Sequence, residues 1–149
     1  MNSTQEKKNL IVVKGSLLNA KEDYICHQVN CAGVMGAGLA LQIKNKYPLV
    51  YKKYRYACLN ATKDLLGCVQ IIDNVVNIFG QRSYGVHSRQ TDYNALRTAF
   101  TKLHNKLPIE KSLAFPYKFG CGLAGGDWSV VYNLIEECFK DRAITIYKL

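Results

Sequence analysis

The sequence predicts an α/β protein with three layers, in which helices cover both faces of a mixed central sheet. Segments typical of strands alternate along the chain with segments typical of helices, and this alternation favours the class. One pair of strand segments is separated only by Asp73 and Asn74, which indicates an antiparallel hairpin among otherwise parallel strands. The chain has 149 residues, of which 48% are hydrophobic, so we expect a single domain over residues 1–149.

The first half of the chain is expected to form two strands, two helices and the hairpin. Strands are predicted where apolar and β-branched residues run together and end at a glycine or an asparagine. A helix is predicted from about Ala37, because Leu39, Ile43 and Tyr47 recur at helical spacing, and Pro48 separates it from a second helix. The predicted elements are strands at 9–15 and 24–30, helices from 37 and over 49–59, and strands at 67–73 and 75–80.

The second half is expected to alternate helix and strand twice. Thr91 or Asp92 supplies an N-cap for the first of these helices, and Pro108 stops it. The predicted elements are a loop at 83–90, a helix at 91–107, a strand at 112–118, a glycine-rich loop, a helix at 128–140 and a final strand at 143–149.

Two glycine-rich stretches each follow a predicted strand and precede a predicted helix. They are NCAGVMGAGLALQIK at 30–44 and FPYKFGCGLAGGDW at 115–128. In open α/β sheets, ligands bind beyond the carboxyl ends of the strands, where helix N-termini present free N–H groups to anions. The sequence therefore predicts two anion-binding loops at one edge of the sheet.

Two common phosphate-binding motifs do not fit these stretches. The dinucleotide fingerprint needs a third small residue, but Leu41 stands there, and no acidic residue follows about 20 residues later. The spacing from Gly33 to Gly38 matches a P-loop, but Leu39 and Ala40 replace its lysine and hydroxyl residue. Generic nicotinamide binding and nucleoside triphosphate hydrolysis are therefore disfavoured.

Charge and cysteine content narrow the possible partners. The formal net charge of +9 favours an anionic partner, either nucleic acid or a phosphorylated small molecule. None of the six cysteines forms a C-x-x-C pair, so no metal site is expected, and most of them are predicted to be buried as small hydrophobic residues. The sequence contains no apolar run of membrane-spanning length and no signal-peptide pattern, so we expect a cytoplasmic protein without a membrane partner.

The stretches HQVNCAGVMGAGLALQIK and PYKFGCGLAGGDW together resemble the macro domain, an ADP-ribose-binding module. The resemblance covers almost the whole chain. It is closest to the branch that contains the terminal ADP-ribose protein glycohydrolase and the DarG antitoxin macro domain. It implies that the two glycine-rich loops clamp the diphosphate of ADP-ribose with backbone N–H groups, and it implies no cofactor.

The resemblance also implies roles for individual residues. Asn30 matches an asparagine beside the distal ribose, and Tyr147 matches an aromatic residue that packs against adenine, although an ordinary sheet position is nearly as good an interpretation of Tyr147. The ligand-binding residues implied in this way are Ser16, Leu17, Asn30, Gly33, Val34, Met35, Gly36, Gly38, Tyr117, Gly120, Cys121, Gly122, Leu123 and Tyr147.

Three positions depart from the family pattern. Ser16 stands where the family usually has an acid that accepts a hydrogen bond from adenine. Gln81 stands at the position of a catalytic lysine in the closest branch, and glutamine can form no Schiff base. Ala124 replaces the acid that follows the second glycine motif in the terminal glycohydrolase. These departures put adenine selectivity and the lysine mechanism in doubt.

The catalytic candidates are Asp127, His27 and Asn30. Asp127 is either a general base that activates water at C1″ of the distal ribose or the N-cap of the helix that begins at Trp128. His27 is either a proton donor or base or a structural histidine on a strand. His87 is a weaker candidate, and His104 is expected to face solvent.

Two functions fit these residues best. The first is hydrolysis of a group linked to C1″ of ADP-ribose, as in ADP-ribose 1″-phosphate, an ADP-ribosyl ester, or ADP-ribosylated protein or nucleic acid. The second is a non-catalytic module that binds ADP-ribose or a related signalling nucleotide, which the Gln81 and Ala124 departures favour. A protein that binds only nucleic acid is a third possibility, but it rests on net charge alone.

Overall fold

A computed structural model describes residues 9–85 and 87–149 of the chain. The polar segment 1–8, and Val86 within the predicted loop 83–90, lie outside the described residues. The strands are β1 (Leu10–Lys14), β2 (Tyr24–Asn30), β3 (Val69–Ile72), β4 (Val75–Gln81), β5 (Leu113–Pro116) and β6 (Ile144–Lys148). The helices are α1 (Gly38–Lys46), α2 (Pro48–Leu59), α3 (Tyr93–Lys106) and α4 (Trp128–Cys138), with a short 3₁₀ helix at Leu17–Asn19.

The six strands form one mixed sheet in the order β1-β6-β5-β2-β4-β3. Every neighbouring pair is parallel except β3 and β4, which pair antiparallel. The hairpin predicted at Asp73 and Asn74 is confirmed, and Asp73 adopts a φ of 53° in its turn. The carboxyl ends of β2, β4, β5 and β6 therefore meet at one edge of the sheet.

Helices cover both faces of this sheet, which confirms the predicted three-layer α/β/α architecture. On one face, α3 and α4 pack through Leu96, Phe100 and Ile135 onto the strands. On the other face, α1 and α2 pack through Ile43 and Tyr54. Both clusters consist of fully buried side chains, and their burial is the main contribution to the stability of the layers.

The order of strands places β2 directly beside β5, and the chain leaves these two strands in opposite directions. After β2 it passes through residues 31–37, here named loop 1, into α1 on one face. After β5 it passes through residues 117–127, here named loop 2, into α4 on the other face. Neighbouring parallel strands whose helices lie on opposite faces leave a crevice between their loops.

Most predicted element boundaries agree with the structure, but three details differ. The strand predicted at 67–73 is shorter, because Gly67 lies in a turn with a φ of 84° and Asp73 lies in the hairpin turn with a φ of 53°. The 3₁₀ helix after β1 was not predicted; the hydroxyl of Ser16 caps it by accepting from the N–H of Leu18. Of the six cysteines, Cys26 is buried and the other five are half-buried, so the prediction that most are buried is wrong.

His104 is also not the solvent-facing residue that the sequence predicted. Its Nδ1 accepts a hydrogen bond from Nε of the buried Arg142 at 3.1 Å, and its ring packs edge-on against Phe139. Partial burial, together with the positive charge of Arg142, lowers the pKa of His104. The guanidinium group of Arg142 donates to carbonyls at the end of α3 and just beyond it, those of His104, Leu107, Pro108 and Lys111.

No helix among residues 9–85 and 87–149 is long and apolar enough to cross a bilayer.

Candidate functional site

A cleft of about 790 Å³ opens at the carboxyl edge of the sheet, between loop 1 and loop 2. This volume lies within the range that is typical of small-molecule sites. The cleft is lined by His27, Gln28, Val29, Asn30, Val34, Gly36, Ala37, Gly38, Leu39, Ala40, Gln81, Tyr84, Gly85, Pro116, Tyr117, Lys118, Phe119, Gly120, Gly122, Leu123 and Ala124.

The N-terminus of α1 forms one wall of the cleft and lacks a side-chain cap. Ala37 occupies the N-cap position and accepts no hydrogen bond through its side chain. By contrast, Asp92 caps α3 and Asp127 caps α4, each through a carboxylate oxygen that accepts a backbone N–H. The first N–H groups of α1, with the positive end of its helix dipole, are therefore left for an anionic ligand.

Loop 2 forms the opposite wall and also leaves backbone donors free. Within the described part of the chain, the N–H groups of Gly122, Leu123 and Ala124 donate no hydrogen bond. The loop is closed instead by bonds from the N–H of Gly125 to the carbonyl of Gly122 and from the N–H of Gly126 to that of Gly120. Successive free N–H groups in a tight loop form a concave site for anions.

The glycines of the two loops have different structural roles. A Cβ atom added at Gly38 or Gly122 would meet no protein atom within 4 Å, so these positions face open space. A Cβ at Gly120 would lie 2.8 Å from Oε1 of Gln28, and Gly33 faces the side chain of Cys58 at 3.3 Å. Gly120 and Gly33 are therefore required by packing and by positive φ, whereas Gly122 keeps the cleft open.

Asn30 organises loop 1 from the end of β2. Its Oδ1 accepts hydrogen bonds from the N–H groups of Ala32 and Val34, and its Nδ2 donates to the carbonyl of Val34. The buried hydroxyl of Tyr54 donates to Asn30 at 2.7 Å, which ties the loop to α2. Burial raises the pKa of Tyr54, so its hydroxyl stays protonated. Asn30 thus fixes the conformation of loop 1 through its amide and is itself one of the residues that line the cleft.

His27 lies on β2 and is 1% exposed. Its Nε2 lies 2.5 Å from Oδ1 of Asn77, whose own Nδ2 donates to Gln70. Because an amide oxygen only accepts, Nε2 carries the proton and Nδ1 is the bare acceptor. Nδ1 is buried and has no partner among the described residues. Burial lowers the pKa of His27 to about 4, so the ring is neutral at pH 7.

The charge on the cleft wall is positive. Among the described residues that line the cleft, Lys118 is the charged side chain and none is a carboxylate. The ring of Tyr117, also in the lining, lies under the ammonium groups of Lys148 at 4.6 Å and Lys118 at 5.7 Å. Tyr84 and Leu123 are 59% and 62% exposed and place apolar surface on the rim. This arrangement suits a ligand with negative charge in its middle and flat or apolar parts near the mouth.

Asp127 lies at the end of loop 2, outside the residues that line the cleft. Its Oδ1 accepts hydrogen bonds from the N–H of Ser129 at 2.9 Å and from the hydroxyl of Ser129 at 2.8 Å. These bonds lower its pKa, so it is a charged carboxylate at neutral pH. The geometry is that of an N-cap, and the role of general base stays a prediction.

The structure brings together about half of the residues that the sequence singled out. The predicted residues that line the cleft are His27, Asn30, Val34, Gly36, Gly38, Tyr117, Gly120, Gly122 and Leu123. Those that lie outside the lining are Ser16, Leu17, Gly33, Met35, Cys121, Asp127 and Tyr147. Met35 and Leu17 are buried in the core beneath loop 1, and the exposed His87 also lies outside the cleft.

The carboxyl end of β6 holds a polar cluster that the sequence did not suggest. The hydroxyl of Tyr147 donates to Oε1 of Glu22 at 2.6 Å, and the hydroxyl of Thr145 donates to Oε2 at 3.0 Å. This bond to Glu22 raises the pKa of Tyr147. Glu22 therefore places a carboxylate next to Tyr147, the residue that the resemblance connects with adenine. The hydroxyl of Ser16 instead accepts the N–H of Leu18 at the start of the 3₁₀ helix.

Sequence reasoning also missed Tyr54, Gln28 and the lysine on the rim. Tyr54 and Gln28 act through hydrogen bonds to residues far away in the chain, which a linear pattern does not reveal. A signal existed for Gln28, because it is one of three polar residues, with His27 and Asn30, in the strand YICHQVN. No group of three or more metal-ligating side chains occurs in the described ranges.

The buried, neutral His27 makes stability depend on pH. The unfolded chain binds a proton below pH 6.5, whereas folded His27 binds one only near pH 4, so its contribution is present above pH 6.5 and is lost as the pH falls towards 4. Between pH 7 and 4.5 this loss is expected to be about 2–3 kcal/mol. Urea unfolding of His27→Gln should show a smaller decrease over that interval than the wild type. Exposed His87→Gln is the control, and equal decreases in all three proteins would contradict the assignment.

The chain is similar in sequence to two kinds of hydrolase, although no family model matches it. It is 27% identical to an ADP-ribose 1″-phosphate phosphatase from Saccharomyces cerevisiae, over 95% of this chain and 99% of that protein. It is 28% identical to a DNA ADP-ribosyl glycohydrolase from Mycobacterium tuberculosis, over 85% of this chain. The matched part is 37% of the mycobacterial protein, so the chain spans little more than a third of that relative.

The fold agrees with these similarities. The structure superimposes on the macrodomain of Mycobacterium tuberculosis DarG with a TM-score of 0.79 and 25% identity, covering 93% of this chain and 96% of that one. A macrodomain protein from Streptomyces coelicolor matches with a TM-score of 0.74 and 28% identity, over 93% and 97% of the two chains. With the mixed sheet and the cleft between two glycine-rich loops, these matches show that the chain has the three-layer macrodomain fold.

Proposed function

We propose that this protein binds ADP-ribose derivatives in the cleft and hydrolyses the group attached to C1″ of their distal ribose. The observation that carries the proposal is the pair of facing donor sets, the uncapped start of α1 and the free N–H groups of loop 2. A diphosphate between them would accept hydrogen bonds from both walls and lie at the positive end of a helix dipole.

The two ends of the cleft suit the two ends of such a ligand. Asn30 and Gln81 lie opposite each other on β2 and β4, and the resemblance connects Asn30 with the distal ribose. Tyr117 lies on the side of β6, where Tyr147 pairs with Pro116, and the adenine would lie towards this end. The reacting C1″ would then lie near Asn30, Gln81 and the strand that carries His27.

The name of the phosphatase relative supports a substrate with a C1″–oxygen bond. The match to the phosphatase extends over almost the whole length of both proteins. This favours ADP-ribose 1″-phosphate or a similar ester as the substrate. The glycohydrolase and the net charge of +9 favour an ADP-ribosylated nucleic acid as a further substrate class. In each case water replaces the group on the distal ribose, and one proton of that water leaves with the departing group.

The chain's own groups would assist this reaction mainly by electrostatic stabilisation. Backbone N–H groups and Lys118 lower the energy of negative charge that develops on phosphate or leaving oxygen. His27 carries a bare Nδ1, but a pKa near 4 makes it a weak base at pH 7. No carboxylate occurs in the described lining, so a general base at Asp127 would have to act from outside the lining.

A binding module without turnover is the second candidate. The same observation favours it: the described lining holds no carboxylate, and Gln81 stands where the closest branch has a lysine. Such a module would hold ADP-ribose as tightly as an enzyme does but release nothing from its derivatives.

Binding and turnover assays separate these candidates. Calorimetry should show that the protein binds ADP-ribose more tightly than AMP, because AMP lacks the second phosphate and the distal ribose. Incubation with ADP-ribose 1″-phosphate, an acylated ADP-ribose and ADP-ribosylated DNA should release ADP-ribose from at least one of them. Binding without release from any of them would favour the module. Equal affinity for AMP and ADP-ribose, or no binding of either, would contradict the proposed site.

A pair of glycine substitutions tests the phosphate cradle. Gly122→Glu should fold normally, since its side chain has open space and no positive φ, yet it should abolish ADP-ribose binding by adding negative charge to the cleft. Gly120→Ala, at a φ of 71° and facing Gln28, should instead lower the melting temperature. Normal ADP-ribose affinity in a folded Gly122→Glu protein would show that loop 2 does not hold the diphosphate.

Asp127 is tested against Asp92, which caps α3 in the same way. Loss of either cap is expected to cost about 0.5–2 kcal/mol of stability. If Asp127 is only a cap, Asp127→Ala and Asp92→Ala should lower the melting temperature and leave kcat per folded molecule nearly unchanged. If Asp127 is the general base, Asp127→Asn should keep the cap but lower kcat by about 10²–10⁴-fold. The geometry favours a role as a cap only. Activity and melting temperature, measured on the same samples, distinguish the two roles.

A further inference from the structure

A network of side-chain hydrogen bonds crosses the floor of the cleft and joins loop 2 to the segment that follows β4. Nε2 of Gln28 donates to Oε1 of Gln81 at 2.7 Å and to Oγ1 of Thr91 at 2.9 Å. The hydroxyl of Thr91 donates in turn to the carbonyl of Gly120 at 2.5 Å, and Nε2 of Gln81 donates to the carbonyl of Ser83 at 2.8 Å. Gln28 is therefore the centre of a network that ends on loop 2 at one side and after β4 at the other.

The direction of every hydrogen bond in this network is fixed by its two ends. The carbonyl oxygens of Ser83 and Gly120 only accept, so the amide of Gln81 and the hydroxyl of Thr91 must each use a donor on them. Both groups then turn an acceptor towards Gln28, and only its NH₂ group satisfies both at once. A flipped amide at either glutamine would bring two oxygens or two NH₂ groups together.

Space for Gln28 is made by two glycines. A Cβ atom at Gly80 would lie 2.4 Å from Oε1 of Gln28, and a Cβ at Gly120 would lie 2.8 Å from it. This Oε1 is buried and accepts no hydrogen bond from the described residues. The hydrogen bonds that Gln28 makes to described residues through its side chain are therefore the two that its NH₂ group donates.

The consequence appears at Gln81, which lines the cleft beside Asn30. Its Oε1 is occupied by Gln28, and one N–H is occupied by the carbonyl of Ser83. What remains is the second N–H of its amide, which has no acceptor in the described part of the chain. Gln81 therefore has one N–H left for a ligand, whereas its Oε1 is already turned towards Gln28.

We propose that Gln81 is a specificity-determining residue that donates this N–H to an oxygen of the group on C1″, and that Gln28 is its positioning residue. This inference rests on the proposed function, because it places C1″ near Asn30. A donor locked in this orientation favours substituents rich in acceptor oxygens, above all a phosphate, over a free hydroxyl. Unlike a lysine, the amide supplies neither a full charge nor a nucleophile, so it selects the group without forming an adduct with the sugar.

The test compares affinity for two ligands that differ only at C1″. Calorimetry would measure Kd for ADP-ribose and for a non-hydrolysable methylenephosphonate analogue of ADP-ribose 1″-phosphate. Gln81→Met should weaken binding of the analogue by about 10–100-fold, the usual effect of losing a hydrogen bond to a charged group, and change the Kd of ADP-ribose much less. Gln28→Met should move the ratio in the same direction, although Gln28 itself does not contact C1″. Gln81→Glu should give the largest loss, because it adds a negative charge.

Asn9→Met provides the matched control. Asn9 is another carboxamide that donates two hydrogen bonds to carbonyls, but it lies beside β1 at the opposite edge of the sheet. Its loss should affect stability and leave the ratio of the two Kd values unchanged. If Gln81→Met and Gln28→Met leave the ratio at its wild-type value while ADP-ribose still binds, this inference is wrong and the proposed function stands. If the wild type binds neither ligand, both are wrong.

Discussion

The adjacency of β2 and β5 is the constraint on which the site depends. These parallel strands end at the same edge, and their following helices lie on opposite faces of the sheet. Loops 1 and 2 must therefore diverge, and a cleft remains between them whatever side chains they carry. The core on each face holds the helices in place, so the backbone donors of α1 and loop 2 keep their directions without a ligand.

In the proposed site, backbone rather than side-chain groups provide most of the hydrogen-bond donors. Asp92 and Asp127 satisfy the N-termini of α3 and α4, whereas Ala37 leaves the N-terminus of α1 open. Side chains mainly support this backbone. Asn30 and Tyr54 hold the conformation of loop 1, and Gln28 is linked to loop 2 through Thr91. This division lets the proposed anion site depend on backbone donors, with Lys118 as the charged side chain among the described lining residues.

Much of this arrangement could be predicted from sequence, because it depends on local patterns. Strand and helix periodicity, the Asp73–Asn74 turn and glycines after strands are all readable in short windows. What could not be predicted depends on distant partners. Nothing local distinguishes Gly120, which makes room for Gln28, from Gly122, which faces open space. Arg142 likewise donates a hydrogen bond to His104 from 38 residues away in the chain. The helix pattern contains no sign of this partner, so the prediction that His104 faces solvent was wrong.

The central claim, that backbone N–H groups of both loops hold a diphosphate, is tested most directly by amide NMR spectra recorded during titration with ADP-ribose. The largest shift changes should fall on loop 1 residues such as Gly36, on the first residues of α1, and on Gly122 and Leu123 of loop 2. Amides at the opposite edge of the sheet, such as that of Ile144, should not move. Saturable changes confined to that opposite edge, or changes in only one of the two loops, would contradict the account.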